Sequence, residues 1–515
     1  MSHYGKSSPH LNSQQLSSWF KQAFLCALLW LPCYANAESS IVVQQKTIKI
    51  SLPDKSSIDA ASGENFQLLV NFLKEYWQIW AIDQQQPIEF VYLPKDQAFE
   101  RLKAQQIDIV ALSIFEKKQP DLLFSIPYAK YQQRIFRRIQ ADKNNGMQIA
   151  IHSKNTQTLD FLPSHIERYY YQDIDKLLNE YQKFDAIYST KPWVLQEKIE
   201  DYKLDKNYQV TTADAPEIFF RFATHKNNRK LMHLMNDGIR AITKVQAYLW
   251  SNKYIAFDDN NISFALGNYF TDLSTDEKEF IIDHNQLYFP LLSDGFPPYV
   301  IVKNFNHITE RGFTIDLFNL AAQRTGVVYK PVTVKNVEQA FTFLKQRKID
   351  VFAHVEHTKE REKKLKFSIP YLKAGYSMVY RHDDTIIDGL SGIGDKSIAV
   401  INNFNATKLL KNKLPYGNFN YYDTIIDAVS SVSSGQSDVF IGRSLTSSYL
   451  AKENQLSNLT SQPLVNFHDN AQFSFASTLK SNELISLLNR TINSISAAEY
   501  EKLYTKWSHS AFHDN

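Results

Sequence analysis

Apolar residues recur along this chain with two periods that take turns. Thr47-Ile-Lys-Ile-Ser-Leu52 alternates every second residue, as a half-buried strand does. The segment after it places Phe66, Leu69, Val70, Leu73, Trp77 and Trp80 on one face of a 3.6-residue period, with Leu68, Phe72 and Ile79 on other faces. That pattern predicts a helix buried between a sheet and a neighbouring element, in preference to a stripe that binds a partner. Strand at 88–92, helix at 98–106 and strand at 107–113 continue the rhythm, which argues for parallel α/β units. After Pro127-Tyr128 the chain is expected to cross into a second lobe, with a strand at 148–151, a helix starting at Thr156 and a last strand led by Asp185. Phe219 to Ala223 would bring it back.

The pattern then repeats. Residues 98–111 are paralleled by 340–353, and Phe124-Ser125-Ile126-Pro127-Tyr128 reappears as Phe367-Ser368-Ile369-Pro370-Tyr371. The offset of about 242 residues is too long for a solenoid repeat and fits duplication of a whole domain. The expected organisation is a first unit at 40–255, a linker at 256–285 and a second unit at 286–510. Ser274 and Glu277 in the linker have capping-box spacing, so a short helix is expected to stiffen the junction into a rigidly coupled pair. Near the C-terminal end Tyr500, Leu503, Tyr504 and Trp507 form a helical stripe that should pack onto the first lobe of the second unit.

A helix ending in a basic residue and Ile-Asp, a strand, Thr358-x-x-Arg361 and then Phe-Ser-x-Pro-Tyr resembles family 3 periplasmic solute-binding proteins, the group that includes the histidine- and lysine/arginine/ornithine-binding proteins. Phe296-Pro297-Pro298-Tyr299 and Gly312-Phe-Thr-Ile-Asp316-Leu are similar to that family's opening motifs. The resemblance covers nearly all of the chain after the first 40 residues, strongly in the second half and weakly in the first. It implies an α/β fold of two tandem periplasmic-binding-protein-like (type II) domains, each of two α/β lobes with a hinge. The tandem order resembles the periplasmic half of virulence-type sensor histidine kinases.

Composition narrows the setting. The chain has 515 residues, 43% apolar, and a net charge of +3, so it can build large cores and offers no field that would gather nucleic acid. Lys21, an apolar run from Ala23 to Leu31, Pro32 and Ala35-Asn36-Ala37 read as a cleaved signal peptide over 1–37, which implies a periplasmic product. The two cysteines, Cys26 and Cys33, lie inside that segment, so the mature chain is expected to have no disulfide and no thiolate metal site. No later run approaches the length of a membrane span.

The resemblance assigns ligand contacts residue by residue. Arg361, after Thr358, matches the arginine that grips a ligand carboxylate through paired hydrogen bonds, with a solvated surface arginine as the alternative. Tyr299 either stacks on a flat part of the ligand or is a wall residue without contact. Asn405 falls where the family puts a hydroxyl at a helix start, and either neighbours a carboxylate or simply caps the helix. His354 is read as a hydrogen-bond donor in the pocket, next to Glu356. Zinc ligation by His354, Glu356 and His357 is disfavoured because neighbours on a strand point to opposite faces. The family's amine-holding aspartate, five residues past the last-strand Asp438, is replaced by Arg443, which points to an acidic solute instead of an ordinary amino acid. In the first unit the matching positions are Ser113, Lys118, Thr156 and Thr190, a possible second site with a lysine where the arginine should be.

The expectation is therefore a non-enzymatic solute-binding protein with no cofactor. It would take a small anionic or carboxylate solute and present it to an inner-membrane ABC transporter or receptor. With the sequence stopping at Asn515 and neither a membrane helix nor a kinase after the second unit, a separate partner is expected to do the reading. The alternative class is a flytrap-derived periplasmic enzyme of dehydratase type, in which Glu356 or His354 would act as acid or base.

Overall fold

The computed structural model describes residues 46–54, 64–114, 119–131, 134–139, 148–152, 166–189, 192–212, 217–254, 262–292, 295–303, 309–384, 389–402, 405–464, 467 and 471–508. The expected signal segment lies outside them.

In the first unit, strand Ile48–Pro53 lies between Ile88–Leu93 and Ile109–Ile114 and runs parallel to both. The returning strand Ile218–His225 pairs antiparallel with Ile109–Ile114, and Ala129–Tyr131 and Ile262–Phe264 extend the sheet beyond it. Helix Glu64–Asp83 covers the sheet and is buried on more than one face: Val70, Phe72, Leu73, Tyr76, Trp77 and Trp80 are all core residues. Phe72 meets the Trp250 ring at 5.5 Å and Phe264 at 4.3 Å, so helix Lys244–Tyr254 and its neighbour cover the side turned from the sheet.

The duplication is plainest in the two second lobes. The first unit orders its strands Tyr208–Thr212, Arg134–Arg138, Ala186–Ser189, Gln148–His152, Glu167–Tyr171. The second unit orders Leu459–Pro463, Tyr376–Arg381, Val439–Arg443, Ser397–Ile401, Asn418–Tyr422. Strand senses match pair by pair, two antiparallel and then two parallel.

The repeated Phe-Ser-Ile-Pro-Tyr run is a clamp on the returning strand. Ser125 Oγ accepts from Phe222 N at 2.9 Å, Ile126 N donates to Asn236 at 2.9 Å, and Tyr128 N donates to Phe220 O at 3.0 Å. In the second unit Ser368 accepts from Phe475 N at 3.0 Å, Ile369 N donates to Asn489 at 2.7 Å, and Tyr371 N donates to Phe473 O at 3.0 Å. Each tyrosine then reaches back to the preceding strand, Tyr128 to Ala111 O at 3.2 Å and Tyr371 to Ala353 O at 2.8 Å. Buried backbone polar groups need partners, and this motif supplies them where the chain crosses.

The junction helix Thr275–Asp283 starts with the Ser274/Glu277 capping box that the spacing predicts. On one side His233 meets Glu279 at 2.6 Å and Arg229 meets Asp283 at 2.7 Å. On the other, Glu277 accepts from Ser486 at 2.7 Å and from Arg490 at 3.0 Å. One hydrophobic core runs through both first lobes, from Trp77 and Phe222 to Leu287, Phe318 and Leu488, whereas the second lobes have cores of their own. A rigid coupling of the units thus has a physical basis in shared packing. The C-terminal helix Ala497–Ser508 packs through Leu503, Tyr500 and Trp507, with Tyr500 donating to Tyr371 O at 3.0 Å, while Tyr504 of the expected stripe is exposed. Among the described residues no helix is long and apolar enough to cross a membrane.

Candidate functional site

Between the lobes of the second unit lies a cavity of about 550 Å³, within the usual range for small-molecule sites. Its wall is mostly apolar: Leu292, Phe296, Val300, Phe341, Ile401, Ile425 and Phe440 contribute, with His354, Glu356, Arg361, Arg443, Thr407 and Thr446 as the polar groups.

Strand Phe352–Glu356 builds the first-lobe side. Its register against Ala471–Ser477 slips between Phe352 and Val355, a bulge that takes Ala353 and His354 out of regular pairing. The His354 ring packs against two near-parallel rings, Tyr299 at 4.2 Å and 17° and Phe473 at 4.0 Å and 9°, which are themselves 6.0 Å apart. Tyr299 is fully buried behind it. Gly312, at φ +139°, brings helix Phe313–Thr325 against the Tyr299 carbonyl, where a Cβ would collide with backbone, and Thr314 N donates to that carbonyl at 3.0 Å.

Arg443 comes from the second lobe, at the end of Val439–Arg443. Its guanidinium lies 4.0 Å from the Tyr376 ring centroid and 5.4 Å from that of Phe473, and it donates to Ala374 O at 2.9 Å. Across the cavity Glu356 faces it at 3.6 Å.

Of the sequence-derived candidates, His354, Glu356, Arg361 and Arg443 share this cavity. Arg361 is exposed and donates to Glu356 O at 2.9 Å. Thr358 accepts from Arg361 N at 3.3 Å, capping helix Lys359–Glu362. Asn405 opens helix Asn405–Lys413. In the first unit Ser113 is buried and donates to Arg221 O at 2.6 Å, while Lys118, Thr156 and Thr190 lie outside the described residues.

The donor role read for His354 changes. Tyr371 has one hydroxyl proton and gives it to Ala353 O, so at 2.7 Å from His354 Nδ1 its oxygen accepts, and Nδ1 carries the hydrogen. Burial, and then the Arg443 charge, push the His354 pKa well below the usual imidazole value, so the ring is neutral. Nε2 is left as an acceptor. Sequence reasoning passed over Phe473, Tyr376 and Thr446. Phe473 lies in the alternating stretch Ala471-Gln-Phe-Ser-Phe475, a signal of strand and not of site. Among the described residues no group of three His, Cys, Asp or Glu side chains is placed to hold a metal ion.

Comparison with known proteins bears on this geometry. The virulence sensor protein BvgS of Bordetella pertussis is 22% identical over 482 residues, which are 90% of this chain and 37% of that protein, so the chain spans well under half of that relative. PatH of Vibrio harveyi, named as an amino-acid ABC transporter-binding protein, is 26% identical over 221 residues, 42% of this chain and 86% of that one. The crystal structure of the B. pertussis BvgS periplasmic domain is 19% identical and covers 99% of this chain and 96% of that chain, with a TM-score of 0.41, too low to carry an argument. The sequence profile of the bacterial extracellular solute-binding proteins, family 3, matches residues 72–256 and 291–510. The chain, with both of its flytrap units, belongs to the bacterial extracellular solute-binding proteins of family 3.

Proposed function

We propose that the second cleft binds a small solute with a carboxylate and an apolar body, and that a membrane transporter or receptor reads the closed form. The observation that carries this is Arg443, set over two aromatic rings in a mostly apolar wall and facing Glu356 at 3.6 Å. Charge-assisted hydrogen bonds run at about 2.7–2.9 Å, so the Glu356 contact is loose and a ligand carboxylate has room to replace it. Arg361 at the mouth adds a second positive charge. Hinge closure would bring Arg443 from one lobe onto a solute resting against the other. The role is non-enzymatic, and the export signal read at 1–37 supports a periplasmic product. Both sensor proteins and an ABC transporter-binding protein stand among the relatives, so either kind of partner is compatible.

Calorimetry with a panel of carboxylic acids tests the reading. Tight binding of a neutral amino acid, undiminished by Arg443→Ala, would count decisively against it. Glu356 favours a second reading, because a carboxylate beside an arginine can hold the ammonium of a zwitterion. Glu356→Gln separates the two: affinity is kept or improved for an acidic solute and lost for an amino acid.

A further inference from the structure

His354 and Thr446 line the cavity, Tyr299 lies behind the His354 ring, and all three carry polar atoms without a close partner. His354 Nε2 is buried with no hydrogen-bond partner among the described residues, and the Tyr299 hydroxyl and Thr446 Oγ1, also buried, have at most a weak contact with each other. Tyr299 lies against the His354 ring and its hydroxyl is beside Thr446, so the three are neighbours. Thr446 is only 1% exposed and belongs to the opposite lobe. Buried polar atoms are nearly always paired, so an unmatched group in a ligand-sized cavity marks where a ligand atom belongs.

The kind of atom follows from a chain of single-proton assignments. The bulge takes Ala353 out of regular pairing, Tyr371 gives its one proton to that residue's carbonyl, and His354 Nδ1 gives its proton to Tyr371. Packing against both rings and the bond to Tyr371 hold the ring in this orientation. Nε2 can therefore only accept. With Arg443 nearby a cationic donor is disfavoured, so the donor it meets is a neutral N–H or O–H. Thr446, a hydroxyl on the facing wall, both donates and accepts.

Building on the acidic-solute reading, we infer that His354 is a specificity residue that selects carboxylic acids whose apolar body also carries a neutral hydrogen-bond donor, such as an amide, a ring N–H or a hydroxyl, bridged to Thr446 on closure. A site built to bond a donor rejects the analogue lacking it far more strongly than an apolar pocket rejects a missing methylene.

Two matched pairs of probes test this on the full chain: indole-3-acetate against benzofuran-3-acetate, and 4-hydroxyphenylacetate against 4-methylphenylacetate. In each pair the second acid keeps the shape and loses the donor. We expect the donor-bearing member to bind at least about tenfold more tightly, a difference of about 1.4 kcal/mol, and His354→Phe to reduce the ratio to near one. Thr446→Val should reduce it in part. Because His354→Phe also removes the bond to Tyr371, nitrogen NMR of histidine-labelled wild-type protein gives a second readout. A neutral ring protonated at Nδ1, whose Nε2 signal moves with indole-3-acetate and not with benzofuran-3-acetate, supports the inference. Equal affinities within both pairs, or an Nε2 that carries the hydrogen, overturn it and leave the acidic-solute reading standing. If none of the four acids binds, the inference fails together with that reading.

Discussion

The two units share a strand order and a clamp motif yet differ at the residue beside the clamp. Tyr128 pins Ala111 and Tyr371 pins Ala353, but the next residue is Leu112 in one and His354 in the other. Both strands slip register against the returning strand at this place, so the bulge belongs to the scaffold and the side chain it carries is free to diverge. Leucine there packs against the common core, whereas histidine lines a cavity. The returning strands diverge in the same way. Arg221 in the first unit, matching Ser474 by its place before the clamped phenylalanine, is fully buried and donates to the carbonyls of Ser125 at 2.6 Å, Asn285 at 3.4 Å and Gly326 at 3.5 Å. Burial lowers its pKa to about 10. Two of those carbonyls belong to the junction and the second unit, so the first unit spends a cation on holding its neighbour where the second keeps its arginine, Arg443, in the cleft. Repetition preserved what the fold needs, and chemistry moved at positions the fold does not restrain.

The sharpest way to break this contrast is to remove the candidate charge of each unit. Truncating one partner of a desolvated charge contact costs about 2–5 kcal/mol, so Arg443→Ala should weaken binding of an acidic ligand by roughly 30-fold or more. Arg361→Ala should cost about threefold to tenfold, since its guanidinium stays in water. Lys118→Ala in the first unit should change affinity for the same ligand by less than about threefold, as distant sites do. Titration calorimetry after circular dichroism of each variant makes the measurement, and the contrast is reversed if Lys118→Ala alone abolishes binding.

Next comes Arg221→Ala, which leaves buried carbonyls unmatched and a void behind them. A loss of about 3 kcal/mol is expected, with both units still unfolding in one transition because their first lobes share a core. Two well-separated calorimetric transitions in the wild-type chain would show the units to be independent. A smaller and more symmetric effect is expected of Tyr128→Phe and Tyr371→Phe: each frees one carbonyl at a cost of about 1–2 kcal/mol in denaturant titration. Only Tyr371→Phe should also erode ligand selectivity, because it alone releases a histidine.

The smallest effect lies at the junction. Ser274→Ala removes a helix cap worth about 1 kcal/mol. Burial tends to raise the Glu277 pKa, but the Ser274 backbone N–H, the Ser486 hydroxyl and the Arg490 charge outweigh it and hold the carboxyl below 4.5. A carboxyl depressed in the folded state stabilises fully above its unfolded value near 4.5 and loses that contribution as pH falls through the folded value. Glu277→Gln should therefore lower the melting temperature at pH 7 and flatten its acid dependence below that point, measured by scanning calorimetry.

The sequence by itself determined the elements, the duplication, the capped junction helix and the family. Those depend on periodicity and short spacings, and such signals are local: the alternation at 47–52, the apolar helix that became Glu64–Asp83, Ser274 with Glu277, the twice-used Phe-Ser-Ile-Pro-Tyr run. It also named Arg443, His354, Glu356 and Arg361, which share the cavity, because resemblance carries register along a strand. Only the tertiary structure decided what those residues face. Phe473 is 119 positions from His354 and Glu356 is 87 from Arg443, so nothing local relates them. The hydrogen on His354 follows from the bulge and the Ala353 carbonyl of its own strand, slipped against Ala471–Ser477, together with Tyr371, and the burial of Tyr299 from a helix that starts at Gly312. Protonation state and pairing depend on which groups exclude water from one another, and that exclusion exists only once distant segments have packed.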